Sequence, residues 1–236
     1  MERPILRELR GAVARADGPA LIAALAGRVP VEVLQLIGDG IVAALAADVP
    51  GAPDLADGCA LALRARGWPG DEELAVELEA AAGRRAWPAL RPLCVDLEEL
   101  AELLEAGLGE DGGLLDLKTG EVWAAAAIEY ANESDEAHPD FDDSERWLYV
   151  APEGSRSGYE DMEDFIATVA DRVLAERLDK AIAGKGAFRR FKDALSRSPE
   201  KEERWYRFSD ERRRGRARRW LADAGYRTDP ARPGIS

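Results

Sequence analysis

Helical spacing of apolar residues over the first 92 positions restricts the fold of this chain more than any other feature of its sequence. Apolar residues recur three or four positions apart, as in Ile5, Leu9 and Val13, and again in VEVLQLIGDGIVAALA. Four prolines of the kind that begin or end helices separate these stretches: Pro30, Pro50, Pro53 and Pro69. The pattern therefore predicts an all-α N-terminal domain over residues 1–92.

The periodicity changes after residue 92, where strand-like segments appear between helical ones. Asp96 and Glu99 have the spacing of a capping box before a short helix, LEELAELLEAG. The runs GLLDLKTGEVWAAAAI and RWLYVAP supply three strands, for which an antiparallel meander is the most economical topology. Helices are predicted over 159–170, 171–183, 187–197 and 199–224. We therefore predict an α+β fold, with a second domain over 93–226 that combines a small three-stranded antiparallel sheet with several helices, and a flexible tail over 227–236.

Charge and cysteine content exclude several classes of protein. The chain has 46 acidic and 32 basic residues, a net charge of −14, which excludes a uniformly basic nucleic-acid binder. No apolar run reaches the roughly 20 residues that span a bilayer. Cys59 and Cys94 lie in apolar stretches without a metal-binding spacing, which favours buried reduced thiols. We expect a soluble cytoplasmic protein with no membrane partner, and the residues predict no cofactor.

Long motifs in the second half resemble a known family. They are YEDMEDFIATV, GKGAFRRFKDAL, DLEELAELLE, LLDLKTGEV and the spacing of Trp205, Phe208, Trp220 and Leu221 in ERWYRFSDERRRGRARRWLADAGY. Together they resemble the bacterial uncharacterised protein family 0158 over about residues 93–226, and the helical first half lies outside this resemblance. The family has no established activity, so the resemblance implies no catalytic residue and no reaction.

Two glycine motifs imitate phosphate-binding loops without the usual context of such loops. GDGIVA, residues 38–43, fits the dinucleotide pattern G-x-G-x-x-A, but the segment after it does not continue a βαβ unit. Close helix packing explains these glycines better. GSRSG, residues 154–158, precedes a predicted helix, where backbone amides often bind phosphate. Four acidic residues in the first turns oppose an anion there, and Ser157 with Glu160 fits a capping box instead.

An acidic segment over residues 129–145 raises the possibility of a metal-dependent enzyme. It holds eight acidic residues and the only histidine of the chain. The best candidate ligands are Glu129, His138, Asp140 and Asp142. No EF-hand spacing is present, and low apolar content with like charge favours a solvated acidic loop. We therefore predict no metal site and no catalytic residue here.

The strongest functional signal is a basic block near the C-terminus. Between Lys185 and Arg219 there are fourteen basic and six acidic residues, whereas residues 93–184 contain six basic and 25 acidic ones. Aromatic residues interleave with the basic ones, as they do where proteins grip single-stranded nucleic acid. The candidate binding residues are Arg189, Arg190, Lys192, Arg213, Arg214, Arg216 and Arg218. Many of the aromatic residues nevertheless have the spacing of a helix core.

Three interpretations of the basic block remain open. Its arginines could pair with the acidic block of the same chain or of another subunit, could contact nucleic acid, or could form a solvated face. The sequence favours a non-catalytic bacterial regulatory or adaptor module whose basic C-terminal helical face engages an acidic partner, either another protein or its own acidic segment. The alternative is a nucleic-acid-binding protein that uses the same face, and a metal-dependent enzyme comes third.

Overall fold

A computed structural model describes residues 3–106, 112–134 and 137–229 of the chain. The first part is helical throughout, as the apolar periodicity predicted. It consists of α1 (Arg3–Ala14), α2 (Gly18–Leu25), a 3-10 turn (Val31–Val33), α3 (Leu34–Ala46), α4 (Ala52–Arg66) and α5 (Asp71–Ala81). Among the described residues, no helix is both long and apolar enough to cross a membrane.

The second part mixes helices with short strands, which confirms the α+β prediction. Its helices are α6 (Leu97–Leu104), α7 (Ala125–Glu133), α8 (Arg156–Ala167), α9 (Arg172–Ile182), α10 (Ala187–Leu195) and α11 (Pro199–Asp223). Its strands are β1 (Arg91–Leu93), β2 (Gly113–Asp116), β3 (Val122–Ala124), β4 (Trp147–Val150) and β5 (Tyr226–Thr228). Asp96 caps α6 by accepting a hydrogen bond from the Glu98 amide.

The three-stranded sheet is antiparallel but is not a meander. Its order is β3-β2-β4, so β2 lies in the centre and β4 returns to pair with the free side of β2. The predicted second strand is also too long, because the alanine run after β3 forms α7, and alanine is the strongest helix former.

A second, parallel sheet joins the two ends of the second part. In it β1 pairs with β5, and Arg91 lies opposite Tyr226. Arg227 and Thr228, which were expected in a flexible tail over 227–236, instead belong to β5. The rest of that predicted tail, residues 230–236, lies outside the described part of the chain.

Three hydrophobic clusters fill the interior. The first draws its buried residues from positions 6–78 alone. The second lies between α6, the three-stranded sheet and the end of α11, and the third lies between α8, α9, α10 and the start of α11. Trp205 is buried in the third cluster, whereas Trp220 packs half-buried against the second. The boundary at residue 92 thus separates one cluster from two, and independent folding of the two parts remains a prediction.

Helix α11 packs against both parts of the molecule. Its neighbours include α3 and α5 in the first part and α6, α8 and α10 in the second. It approaches the loop before α5 so closely that a Cβ atom on Gly215 would lie 2.1 Å from the Pro69 carbonyl oxygen. A Cβ atom on Gly70, which has a φ of +79°, would lie 2.1 Å from the Gly215 oxygen. Only glycine permits this contact, which places the arginines of α11 among carboxylates from both parts.

Candidate binding surface of the C-terminal helices

The seven predicted basic residues separate into an exposed and an inward-facing group. The Arg189 side chain on α10 is 90% exposed, and Arg190 and Lys192 are also exposed. On α11, the Arg218 side chain is 1% exposed, and those of Arg214 and Arg216 are 15% and 14% exposed. The predicted face is therefore not one continuous surface.

Arg218 is the centre of a buried ionic network between the two parts. Its Nη1 atom donates to the Glu77 carboxylate at 3.1 Å and to the Thr228 hydroxyl at 2.9 Å. Its Nη2 atom donates to Asp39, and its Nε atom donates to the Gln35 side-chain oxygen at 3.0 Å. Four of the five N–H donors of the guanidinium are used, so Arg218 joins α3, α5 and β5 to α11.

A second group of buried polar side chains surrounds Glu211, which lies two helical turns before Arg218 in α11. Its two carboxylate oxygens accept hydrogen bonds from the Gln35 and Leu36 amides at 2.7 and 3.0 Å, and thereby cap α3 from another part of the chain. Arg66 donates to Glu211 at 2.9 Å and to Asp71 through two nitrogens, at 2.7 and 2.9 Å. Sequence analysis did not single out any of these residues.

Burial and pairing oppose each other in the protonation of this network. Burial raises the pKa of Glu77 and of Glu211, and the facing arginines oppose that rise. Burial would lower the pKa of Arg218, but Asp39 and Glu77 outweigh burial and raise it, so the guanidinium stays protonated.

The other three predicted arginines of α11 pair with carboxylates from residues 93–184. Arg216 donates to Asp161 at 3.0 Å and also to Glu105. Arg213 lies 2.8 Å from Glu105. Arg214 donates to Glu98 and lies 3.8 Å from Asp39. These pairs hold α6 and α8 against α11, and they occupy the guanidinium groups that were expected to face a partner.

Helix α10 presents its cations differently. It packs through Ala187, Phe191 and Leu195, which are all buried and four residues apart. Arg190 bends back and donates to carbonyl groups after the end of α9, including that of Ala183 at 2.7 Å. Within the described part of the chain, the one ionic contact of Arg189 is a 3.9 Å approach to Asp193, which leaves its charge available to a partner.

Most of the aromatic residues near the basic block belong to the core. Phe191 is fully buried and Trp205 is 5% exposed, with ring centroids 4.7 Å apart in a T-shaped pair. Phe208 packs on Trp68 at 5.1 Å. Phe188 and Tyr206 are exposed, at 39% and 45%, and could contact a ligand.

Neither glycine motif forms a phosphate loop. GDGIVA lies inside α3, and a Cβ atom on Gly38 would meet Leu74 at 2.5 Å, so this glycine permits helix packing. GSRSG overlaps the start of α8, which begins at Arg156, so Ser157 lies inside the helix and does not form the expected capping box with Glu160. A shallow depression there is lined by Arg213 and Arg216, which are already paired with Glu105.

The acidic segment does not assemble a metal site. No group of three or more candidate ligands occurs anywhere in the described ranges, and residues 135–136 of this segment lie outside them. His138 stacks on Phe141 at 5.6 Å, and the Asp140 carbonyl accepts a hydrogen bond from the Trp147 indole at 2.7 Å. Glu129 is exposed on α7, and Asp140 accepts a hydrogen bond from the Asp142 amide. Phe141 holds this segment on the three-stranded sheet.

Asp116 is the buried carboxylate beneath that segment. It accepts hydrogen bonds from two nitrogens of Arg146, at 2.6 and 3.0 Å, and from the Lys118 amide at 2.8 Å. Burial raises its pKa, but these donors outweigh burial and hold the pKa below its ordinary value. Asp116 is therefore a structural anion and not a general base.

Comparison with known proteins confirms the family resemblance. The profile of the uncharacterised protein family UPF0158 matches residues 90–229. The UPF0158 protein PA5073 of Pseudomonas aeruginosa is 32% identical over 109 residues, which are 46% of this chain and 70% of that protein. No solved structure matches the chain. The matched region begins one residue before β1 and ends one residue after β5, so it coincides with the α+β part.

Proposed function

The chain belongs to the uncharacterised protein family UPF0158, and we propose that it is a non-catalytic regulatory or adaptor module that engages an acidic protein partner through α10. The observation that carries this proposal is the exposure of the α10 cations. Between Lys185 and Arg197 there are five basic residues and one acidic residue. Arg189 and Lys192 both point to solvent there. A local positive patch on a chain of net charge −14 favours an acidic partner.

The proposal assigns a different task to the arginines of α11. Arg214 and Arg218 stabilise the joint between the two parts, because they face carboxylates of the first part. Arg213 and Arg216 pair with carboxylates inside the second part. Of the seven candidate binding residues, the proposal therefore keeps Arg189 and Lys192, and it adds the neighbouring Lys185 and Arg197. We also propose that the protein is cytoplasmic. The two cysteines, Cys59 and Cys94, support this location because they do not form a disulfide with each other.

Charge reversal on α10 tests the proposed surface. The variant Arg189→Glu/Lys192→Glu should lose an acidic protein that the wild-type chain captures from a nuclease-treated bacterial lysate. The matched control is Arg156→Glu/Arg172→Glu, since those side chains are 89% and 91% exposed but lie on α8 and α9. The control should retain the captured protein. Equal capture by both variants would contradict a role for α10.

Nucleic-acid binding by the same surface is the second candidate. The exposure of Phe188 next to Arg189 favours it, because an aromatic ring beside a cation can stack on an unpaired base. A fluorescent single-stranded oligonucleotide should then bind the wild-type chain with an affinity that falls as salt rises, and the α10 reversal should abolish this binding. Capture from lysate that disappears after nuclease treatment would favour this candidate over the protein partner.

A further inference from the structure

The outer face of the three-stranded sheet carries a row of apolar and aromatic side chains. In the sheet register Leu114 lies opposite both Trp123 and Tyr149, so the three side chains project from the same face. The opposite face carries Leu115, which is fully buried in the second hydrophobic cluster. The row on the outer face therefore points away from the core.

A loop covers one end of this outer face and leaves the other end open. Phe141 packs on Trp123 and on Trp147, with ring centroids 5.2 Å apart in both pairs. Trp147 is accordingly only 6% exposed. Tyr149, two residues further along β4, is 58% exposed. The uncovered part of the face consists of Tyr149 with the half-buried Leu114 and Trp123.

The surroundings of this face are strongly acidic. The described residues 112–134 and 137–153, which form the sheet, α7 and the covering segment, contain nine acidic and two basic residues, a net charge of −7. Glu121 lies at the edge of the row, where it accepts a 3.4 Å hydrogen bond from the Trp123 indole. An anionic partner would be repelled here, and a cationic one would be attracted before contact.

Arg146 shows how this face holds a guanidinium group. Its Cζ atom lies 4.9 Å from the centroid of the Trp147 ring, and its Nη2 atom pairs with Asp116 at 2.6 Å. A planar guanidinium can stack on an aromatic ring while it pairs with a carboxylate. Tyr149 is on the same strand and the same face as Trp147, and no ring of the described residues packs on it, so it offers the aromatic half of the same arrangement.

We infer that the uncovered face around Tyr149 binds a basic, arginine-containing segment of a partner protein. An arginine side chain of that segment stacks on Tyr149, and neighbouring cations of the segment meet the acidic surroundings. Arginine suits this face better than lysine, because its guanidinium is planar and more weakly hydrated. This inference goes beyond the function proposed for α10, which concerns an acidic partner on a different surface. Together the two surfaces would allow one chain to bridge partners of opposite charge.

Fluorescence polarisation with the full chain tests this inference. The probes are three labelled peptides of equal length in which glycine alternates with arginine, with lysine or with glutamate. The arginine peptide should bind most tightly, the lysine peptide more weakly, and the glutamate peptide not at all. Tyr149→Ala should weaken binding of the arginine peptide about fivefold, which is the contribution of a cation–π contact at an exposed site. Tyr149→Phe should bind as the wild-type chain does.

Two controls separate this surface from α10 and from general charge attraction. Tyr206→Ala removes another tyrosine, 45% exposed on α11, and should leave binding unchanged. Arg189→Glu/Lys192→Glu should also leave binding of the arginine peptide unchanged, so failure of the α10 proposal would not affect this test. Equal affinities of Tyr149→Ala and Tyr206→Ala, or equal affinities of the arginine and lysine peptides for the wild-type chain, would overturn the inference.

Discussion

Helices α10 and α11 carry the same type of residue and use it in opposite ways. Arg189 on α10 is 90% exposed, and its one ionic contact is a 3.9 Å approach to Asp193. Arg218 on α11 is 1% exposed and donates hydrogen bonds to four side chains. The difference follows from the neighbours of each helix. One apolar stripe attaches α10, whereas α11 has elements of both parts of the molecule around it.

This contrast teaches that a dense basic sequence is not by itself a basic surface. In α11, arginine side chains and not apolar ones make many of the contacts of an interface. Arg214 and Arg218, which face the first part, each lie close to a carboxylate there. A buried ion pair of this kind gives little net stability when intact, but it is costly to break, because removal of one partner leaves an unpaired buried charge. Mutations should therefore affect the two helices very differently.

Removal of Arg218 should have the largest effect. Arg218→Ala removes the cation that donates hydrogen bonds to Asp39 and Glu77 and leaves a cavity in its place, so we expect a loss of about 3–5 kcal/mol in the free energy of unfolding. Urea denaturation followed by circular dichroism measures it. Arg189→Ala is the control and should change stability by less than about 0.5 kcal/mol. Similar losses in both variants would remove the distinction between the helices.

The glycine contact of α11 should rank second. Gly215→Ala places a Cβ atom 2.1 Å from the Pro69 carbonyl oxygen, so the helix must move away from the loop. We expect a loss of about 1–3 kcal/mol in stability, as for an overpacked core. Gly11 in α1 is a matched control, since its added Cβ atom would meet only the flexible end of Arg15. Gly11→Ala should stabilise the chain by up to about 1 kcal/mol through helix propensity, and a loss there as large as that of Gly215→Ala would argue against a specific contact.

The pH dependence of the free energy of unfolding should reveal the raised pKa of Glu77 in the buried network. Burial raises its folded-state pKa above the ordinary 4.5. At pH values between 4.5 and the raised pKa, Glu77 keeps a proton in the folded chain but has lost it in the unfolded chain. The free energy of unfolding therefore falls as the pH rises through this window. Glu77→Gln should remove up to about 1.4 kcal/mol per pH unit from this slope. Parallel pH profiles of wild type and Glu77→Gln in urea denaturation would contradict the raised pKa.

The smallest expected difference lies within α10 itself. Arg190 donates to the carbonyl group of Ala181 in the last turn of α9, at 3.0 Å, and to that of Ala183 just after it, at 2.7 Å, whereas Arg189 makes no such bond in the described structure. Arg190→Ala should therefore cost about 0.5–1.5 kcal/mol of stability, and Arg189→Ala almost nothing. Thermal unfolding of the two variants, measured side by side, distinguishes them. A larger loss of stability in Arg189→Ala than in Arg190→Ala would contradict the capping role of Arg190.

Sequence patterns predicted most helices because their amphipathic stripes are local. Ala187, Phe191 and Leu195 define the buried face of α10 within nine residues. The parallel pair β1 and β5 escaped prediction, since each strand has three residues, β1 contains Pro92, and β5 follows Gly225 at an apparent turn. The pairing of strands so far apart in sequence has no local signal.

The density of charge along the sequence could not predict which basic residues are exposed and which are buried. Arg218 and Glu77 are 141 residues apart, so neither residue indicates the other. One signal was available, however. Glu211, Gly215 and Arg218 have the spacing of one helix face, and a glycine between two charged residues on one face of a long helix points to close packing there. Gln35 similarly sits among the apolar residues of VEVLQLI.

The cap that Glu211 places on α3 also orders events during synthesis of the protein. Glu211 follows Gln35 by 176 positions, so a ribosome releases α3 and its neighbours long before their cap exists. In that interval the amides of Gln35 and Leu36 and the carboxylates of Asp39 and Glu77 need water, because burying them without partners is costly. The apolar interior of the first part needs no residue of α11, but its buried polar groups find their partners only after α11 has been made. A chain truncated before α11 should therefore leave these groups facing water, and we expect it to be cleaved by proteases faster than the chain that contains α11.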